Sequence, residues 1–176
     1  DAGGGSKAVQ DQLRDVQRIQ ATDNAFAALL ADGSVVAWGK RGRGDDSSAV
    51  GDQLRGVQQI QATNGAFAAI LEDRSVVTWG DRSFGGDSSA VRDQLSGVQQ
   101  IQATNGAFAA ILEDGSVMTW GHRSFGGDSS AVRGQLRGVQ QIQAATCAFA
   151  AILADGSVVT WGDADFGGDS SAVQDQ

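Results

Sequence analysis

Few side chains in this sequence are equipped for chemistry. The chain has one histidine, His122, and one cysteine, Cys147, among 176 residues. A nucleophilic triad needs a serine or cysteine, a base and an orienting third group within hydrogen-bond reach. Nothing in the sequence fixes such a nucleophile beside His122. Cys147 has no basic neighbour in sequence to lower its pKa. The acidic loops Asp45-Asp46, Asp87, Asp128 and Asp169 could offer oxygen ligands to calcium. Each supplies only one or two carboxylates beside serines, and none has the D-x-D-x-D-G spacing of a calcium loop. Turn and capping roles fit them better. Gly39, Gly42 and Gly44 interleave with Lys40, Arg41 and Arg43, a composition that could cradle phosphate. No helix opens after them in the manner of a phosphate-binding loop. They read as a solvated loop, and Lys40, Arg41 and Arg43 as the candidate contact for an acidic partner.

Bulk composition narrows the function classes. The net charge of −8 lacks the basic footprint of nucleic-acid binders and of proteins that sit on anionic membranes. The longest apolar run, AFAAIL, is far too short to cross a bilayer as a helix. No basic start followed by an apolar stretch occurs, so no secretion signal is expected. One cysteine cannot build a disulfide framework, and one cysteine with one histidine cannot build a multi-ligand zinc site. No cofactor or metal is expected, and no catalytic residue.

The elements that must position these side chains come in repeats. Trp38, Trp79, Trp120 and Trp161 are spaced 41 residues apart, and Phe26, Phe67, Phe108 and Phe149 keep the same step. Residues 57–80 and 98–121 differ only at Arg74/Gly115 and Val77/Met118. The chain is a single repeat domain, 1–176, with units at approximately 5–45, 46–86, 87–127 and 128–168, and residues 169–176 start a further unit. Residues 165–176 share the repeat phase of residues 1–12. Both segments would compete for one slot in a closed four-unit ring, so an open arc or part of a larger propeller is expected. His122 stands where other copies carry Lys40, Asp81 and Asp163, a position expected to be exposed. Cys147 replaces Asn24, Gly65 and Gly106 in a tight turn, where an exposed thiol is expected.

One unit reads as three strands. VQQIQAT places Ile60 and Ala62 at period two with glutamine between them. Asn64-Gly65 matches a two-residue hairpin whose residues tolerate positive φ. AFAAIL presents Phe67, Ala69 and Leu71 on one side and Ala66, Ala68 and Ile70 on the other. Both faces are apolar, so this strand belongs between two packed layers. Asp32-Gly33, Asp114-Gly115 and Asp155-Gly156 mark a second hairpin turn. Arg74 replaces the glycine in one copy and is strained there if φ is positive. SVVTWG completes the third strand, and its tryptophan packs between sheets. Beyond Gly85-Gly86, Asp87 could cap a short helix bearing Val91, Leu95 and Val98 and ended by Gly97. A loop plus an outer strand is the rival, and a loop or helical turn is the expectation. Three antiparallel strands every 41 residues give radial sheets.

The stretch IQATNGAFAAILEDGSVMTWGHRSFGG resembles the regulator of chromosome condensation (RCC1-like) repeat, through Ile101, Ala103, Ala110, Leu112, Asp114, Gly115, Val117, Trp120, Gly121 and Gly126. The resemblance extends over all four copies. It implies an all-β fold of RCC1-like β-propeller blades, in a family whose propellers usually close with seven. Its members include exchange factors for small GTPases and modules of large ubiquitin ligases. The functional expectation is a non-enzymatic protein-interaction or structural repeat module, possible as an accessory subunit of a larger assembly. Alternatives are a lectin-like ligand binder or an exchange factor-like propeller. A protein partner is expected, with no nucleic acid, no direct membrane insertion, and self-association or docking on a larger complex as options.

Overall fold

The computed structural model describes residues 6–40, 47 and 50–171. Among them no α-helix forms, and the strands make four three-stranded antiparallel sheets, each in chain order. Blade 1 comprises β1 (Val16–Ala21), β2 (Ala25–Leu30) and β3 (Val35–Gly39). Blade 2 comprises β4 (Val57–Ala62), β5 (Ala66–Leu71) and β6 (Val76–Gly80). Blade 3 comprises β7 (Val98–Ala103), β8 (Ala107–Leu112) and β9 (Val117–Gly121); blade 4 comprises β10 (Val139–Ala144), β11 (Ala148–Leu153) and β12 (Val158–Gly162). This is the all-β, bladed architecture the sequence predicts, arranged as an open arc.

The middle strand of each blade is apolar on both faces because it lies between two neighbours. In the core shared by blades 1 and 2, Ala25, Ala27 and Leu29 meet Leu54, Val57, Ile60, Phe67, Ala69 and Trp79. In the next core, Ala66, Ala68 and Ile70 of blade 2 meet Val98, Ile101, Phe108 and Trp120 of blade 3. The small face of one blade thus receives the large face of the next. Phe67 pairs directly with Trp79 across β5 and β6, and their rings stack at 5.1 Å and 22°. Phe108 and Trp120 repeat the arrangement at 5.3 Å. Offset stacking suits the ring quadrupoles and adds to the area buried.

The first strand departs from simple alternation. Its register shifts between Val57 and Gln59, and the same shift recurs at Val16, Val98 and Val139. A bulge inserts one residue, which lets Val57 and Ile60, three positions apart, reach the same core. Ile60 and Ala62 are at period two as expected, but Val57 joins Ile60 only because the alternation is interrupted.

Both hairpins form, with different turn chemistry from that expected. Neither Asn64 nor Gly65 has positive φ. The turn is held instead by Thr63, whose Oγ1 accepts the Ala66 N–H at 3.0 Å and donates to the Phe84 carbonyl at 2.9 Å. Glycine is needed at 65 for space: an added Cβ would lie 3.1 Å from the Phe84 ring. The second turn is a three-residue loop with a left-handed residue at its end. Gly33, Gly115 and Gly156 have φ of 77°, 74° and 84°, and Arg74 sits there at 62°. The connector between blades 2 and 3 contains two single-turn 3-10 segments, Arg82–Phe84 and Arg92–Gln94, and no outer strand. Leu95 and Val98 are buried, so the apolar spacing read for a helical turn serves the core.

Arg74 in the left-handed region carries a steric cost that glycine avoids. Its 3.5 Å ion pair with Glu113 joins two well-exposed side chains and offsets little of it. Arg74→Gly should raise unfolding stability by roughly 0.5–1 kcal/mol after allowing for the greater chain entropy of glycine. Urea denaturation of the two chains measures this directly.

Candidate functional site

Backbone geometry first fixes where the variable side chains stand. After each third strand the residue that follows donates its N–H back to the first hairpin: Lys40 to Asn24, Asp81 to Gly65, His122 to Gly106 and Asp163 to Cys147, all at 2.8–3.0 Å. These four residues therefore occupy equivalent places along one rim. Asp81 accepts the Ser83 N–H at 2.9 Å, and Asp163 does the same for Asp165. His122 takes that role with Nδ1, which accepts the Ser124 N–H at 3.2 Å. That contact leaves the other ring nitrogen to carry the proton. His122 is exposed as the sequence predicts, and it meets Phe125 edge-on at 5.2 Å.

The acidic loops close on themselves. Asp87, Asp128 and Asp169 accept the backbone N–H two residues on, at Ser89, Ser130 and Ser171. Asp87 also pairs with Arg82, and Asp128 with Arg123 at 3.1 Å. These are the turn roles expected of them. Asp45 and Asp46 lie outside the described residues. Among the described residues no group of three or more His, Cys, Asp or Glu could hold a metal.

Of the basic cluster, Lys40 is exposed at the blade 1 rim, while Arg41 and Arg43 lie outside the described residues. Among the described residues this rim carries Lys40 in blade 1, Asp81 and the Arg82–Asp87 pair in blade 2, the Arg123–Asp128 pair in blade 3, and Asp163, Asp165 and Asp169 in blade 4. Blade 4 is the most acidic of these because Ala164 and Asp165 replace Arg82 and Ser83.

Cys147 corrects an expectation: the thiol is buried, not exposed. The Cys147 carbonyl accepts the Asp163 N–H at 3.0 Å, which ties this hairpin to the residue after the third strand. Burial pushes the thiol pKa up, and the Asp163 carboxylate adds to the effect. The same hairpin has lost its threonine, because Ala145 stands where Thr63 and Thr104 bind the Phe84 and Phe125 carbonyls. This threonine lock was missed from the sequence. Its recurrence at Thr22, Thr63 and Thr104 was the available signal.

The blades are joined through main-chain contacts at three levels. Asn64 donates its N–H to the Asn105 carbonyl at 2.9 Å, and Val98 donates to the Arg74 carbonyl at 3.0 Å. Trp120 Nε1 donates to the Gly85 carbonyl at 3.2 Å, and Trp161 Nε1 to Gly126 at 3.1 Å. The surface between blades 2 and 3 also carries a groove of about 360 Å³ lined by Gln58, Gln59, Glu72, Arg74 and Gln99 among others.

Solved structures share this arrangement. Human WBSCR16 superposes with a TM-score of 0.57 at 16% identity, over 84% of this chain and 47% of that one. Yeast RCC1 (Prp20), in a complex with Kap60, gives 0.61 at 17% identity, over 88% and 45%. The fold is that of RCC1-type repeats. The CRINKLY ectodomain of the Arabidopsis thaliana receptor kinase ACR4 also matches, with a TM-score of 0.58 at 15% identity over 84% and 56%. The RCC1-like arc spans about half the length of these chains. No protein-family model and no curated protein matches it.

Two measurements probe the site. Asp87 is held at about 2, below the ordinary 3.8, first by the Ser89 backbone and side chain and then by Arg82. Its lowered folded-state pKa contributes stability above pH 3.8, which is lost as pH falls towards about 2. A carboxyl titration by NMR should show a midpoint near that value, and Asp87→Asn should flatten the stability profile in that window. Cys147 should react with a thiol reagent at pH 8 far more slowly in the folded chain than in denaturant, because the thiolate is disfavoured and shielded.

Proposed function

We propose that this chain is a non-enzymatic protein-interaction module, an arc of RCC1-like blades that contacts its partner through the rim following each third strand. One observation carries the reading. The copies keep their strands nearly alike and differ at the rim, where the four residues after the Trp-Gly pair read Lys-Arg-Gly-Arg, Asp-Arg-Ser-Phe, His-Arg-Ser-Phe and Asp-Ala-Asp-Phe. Exposed variation on a repeated rigid frame is the pattern of a contact surface. The first of these loops, with Lys40, Arg41 and Arg43, is the contact for an acidic protein surface. Opposite charge there steers encounter and selects partners.

The fold-level comparison is in keeping with protein binding. Prp20 is described in complex with Kap60 and in its binding to Gsp1p and histones. Docking as an accessory subunit on a larger assembly is one form the interaction takes.

The test is a native pull-down with the tagged 176-residue chain, beside a variant with Lys40, Arg41 and Arg43 all changed to Glu. The chain should retain a defined protein, and the variant should retain it roughly tenfold less, a loss of about 1.4 kcal/mol of binding. Retention of nothing above a tag-only control would refute the module reading. Equal retention by both chains would remove the basic loop from the contact.

A further inference from the structure

Away from the rim, the copies also differ at a groove between blades 3 and 4. About 400 Å³ of space lies between β9 with the turn before it, at Asp114, Ser116 and Met118, and the connector into blade 4, at Arg133, Leu136 and Arg137. It sits by the β8–β9 turn, at the far end of the blade from the loops that follow the third strands. The connector wall is fixed. Leu136 is 3% exposed and packs in the core shared by the two blades, with Val132 against it. The Gln135 N–H donates to the Val132 carbonyl at 2.8 Å, and the Arg137 N–H to the Gln135 carbonyl at 2.9 Å. Arg133 and Arg137 therefore flank a buried anchor on a braced turn.

The charge of this segment is peculiar to its copy. Residues 10–14, 51–55 and 92–96 read Gln-Asp-Gln-Leu-Arg, Gly-Asp-Gln-Leu-Arg and Arg-Asp-Gln-Leu-Ser, each with one acid and one base. Residues 133–137 read Arg-Gly-Gln-Leu-Arg, with two bases and no acid. The backbone does not require the glycine. The φ of Gly134 is outside the left-handed region, and an added Cβ would meet nothing within 4 Å. What Gly134 changes is the charge, by removing the aspartate found at Asp11, Asp52 and Asp93. Other arginines are neutralised, Arg74 by Glu113, Arg82 by Asp87 and Arg123 by Asp128. Among the described residues neither Arg133 nor Arg137 has an ion-pair partner. In a chain of net charge −8 this is a local reversal of sign. The apolar floor differs too: half-buried Met118 stands where the other copies have Val36, Val77 and Val159. Its unbranched thioether adapts to whatever is laid on it.

We propose that this groove binds an acidic segment of a partner protein in which two carboxylates flank an apolar side chain. The carboxylates pair with Arg133 and Arg137, whose planar guanidiniums present paired N–H donors in carboxylate geometry. The apolar side chain lies on Met118. Asp114 on the facing wall repels further negative charge, so the groove selects a short acidic motif over an indiscriminate polyanion. The inference rests on the reading of this chain as a protein-interaction module, and it names the partner's chemistry at a surface separate from the basic loop.

The experiment titrates the full chain into a fluorescent, end-blocked peptide, Gly-Glu-Ala-Leu-Ala-Glu-Gly, and follows anisotropy at low and at physiological salt. One peptide should bind per chain, more weakly as salt rises. Arg133→Gln and Arg137→Ser install residues that other copies carry at the same places, Gln10 and Ser96. Each should weaken binding roughly tenfold, as expected for loss of a hydrogen bond to a charged group. Gly134→Asp restores the acid of the other copies and should weaken binding to a similar degree. All three sites are exposed, so circular dichroism and urea unfolding should match the parent. Conversely, Val77→Met, Asp93→Gly and Ser96→Arg together rebuild the groove between blades 2 and 3, and the ratio should rise to two peptides per chain. The proposal is overturned if the parent shows no saturable binding, if a peptide with Gln for both Glu binds equally well, if the three single variants bind as the parent does, or if the rebuilt chain still takes one peptide. A failed titration beside a successful pull-down would strike the groove alone and leave the rim contact standing.

Discussion

Everything in this molecule depends on a large apolar face seated on a small one. Phe108 and Trp120 form a stacked plate, and Ala66, Ala68 and Ile70 offer a nearly flat surface that lets it come close. Neither sheet could shield both of its faces alone. Truncating one buried ring of this kind costs about 3–5 kcal/mol. Whole domains are commonly stable by only about 5–15 kcal/mol, so a single joint is a large share of the total. The fold is therefore cooperative between neighbours and indifferent to more distant blades.

Backbone polarity sets how closely the plates approach. Gly115 is left-handed, and a Cβ there would lie 2.9 Å from the Gly138 Cα of the next blade. The same residue's carbonyl accepts the Val139 N–H. The indole of Trp120 reaches across the joint to a carbonyl beside a second close approach at Gly85. Apolar packing and hydrogen bonding thus select one spacing between sheets, and the rim loops inherit their positions from it.

Much of this was legible in the sequence. The 41-residue step gave the blades, the two apolar faces of AFAAIL placed that strand between layers, and Arg74 was recognisable as a residue in a glycine position. Other features depend on contacts far apart in the chain. The bulge beside Val57 shows in the sequence only as two successive glutamines, Gln58 and Gln59, where strict alternation would place one residue between Val57 and the next inward side chain. Asn64-Gly65 looks like a turn of positive φ, yet Thr63 supplies the turn and Phe84, 21 residues after Thr63, demands the glycine. Cys147 is likewise tied to a later segment, its carbonyl accepting the Asp163 N–H.

Among the described residues the main-chain contacts between blades link only neighbours, and all three joints share the Val-to-turn and hairpin-to-hairpin bonds. Whole units can therefore be gained or lost without re-engineering any surviving contact, whereas a gain or loss of one residue inside a unit would throw the strand faces out of step. Blade number in such a lineage is free to drift by duplication and deletion while the unit length stays locked. The near-copies at residues 57–80 and 98–121 are what that asymmetry would leave behind.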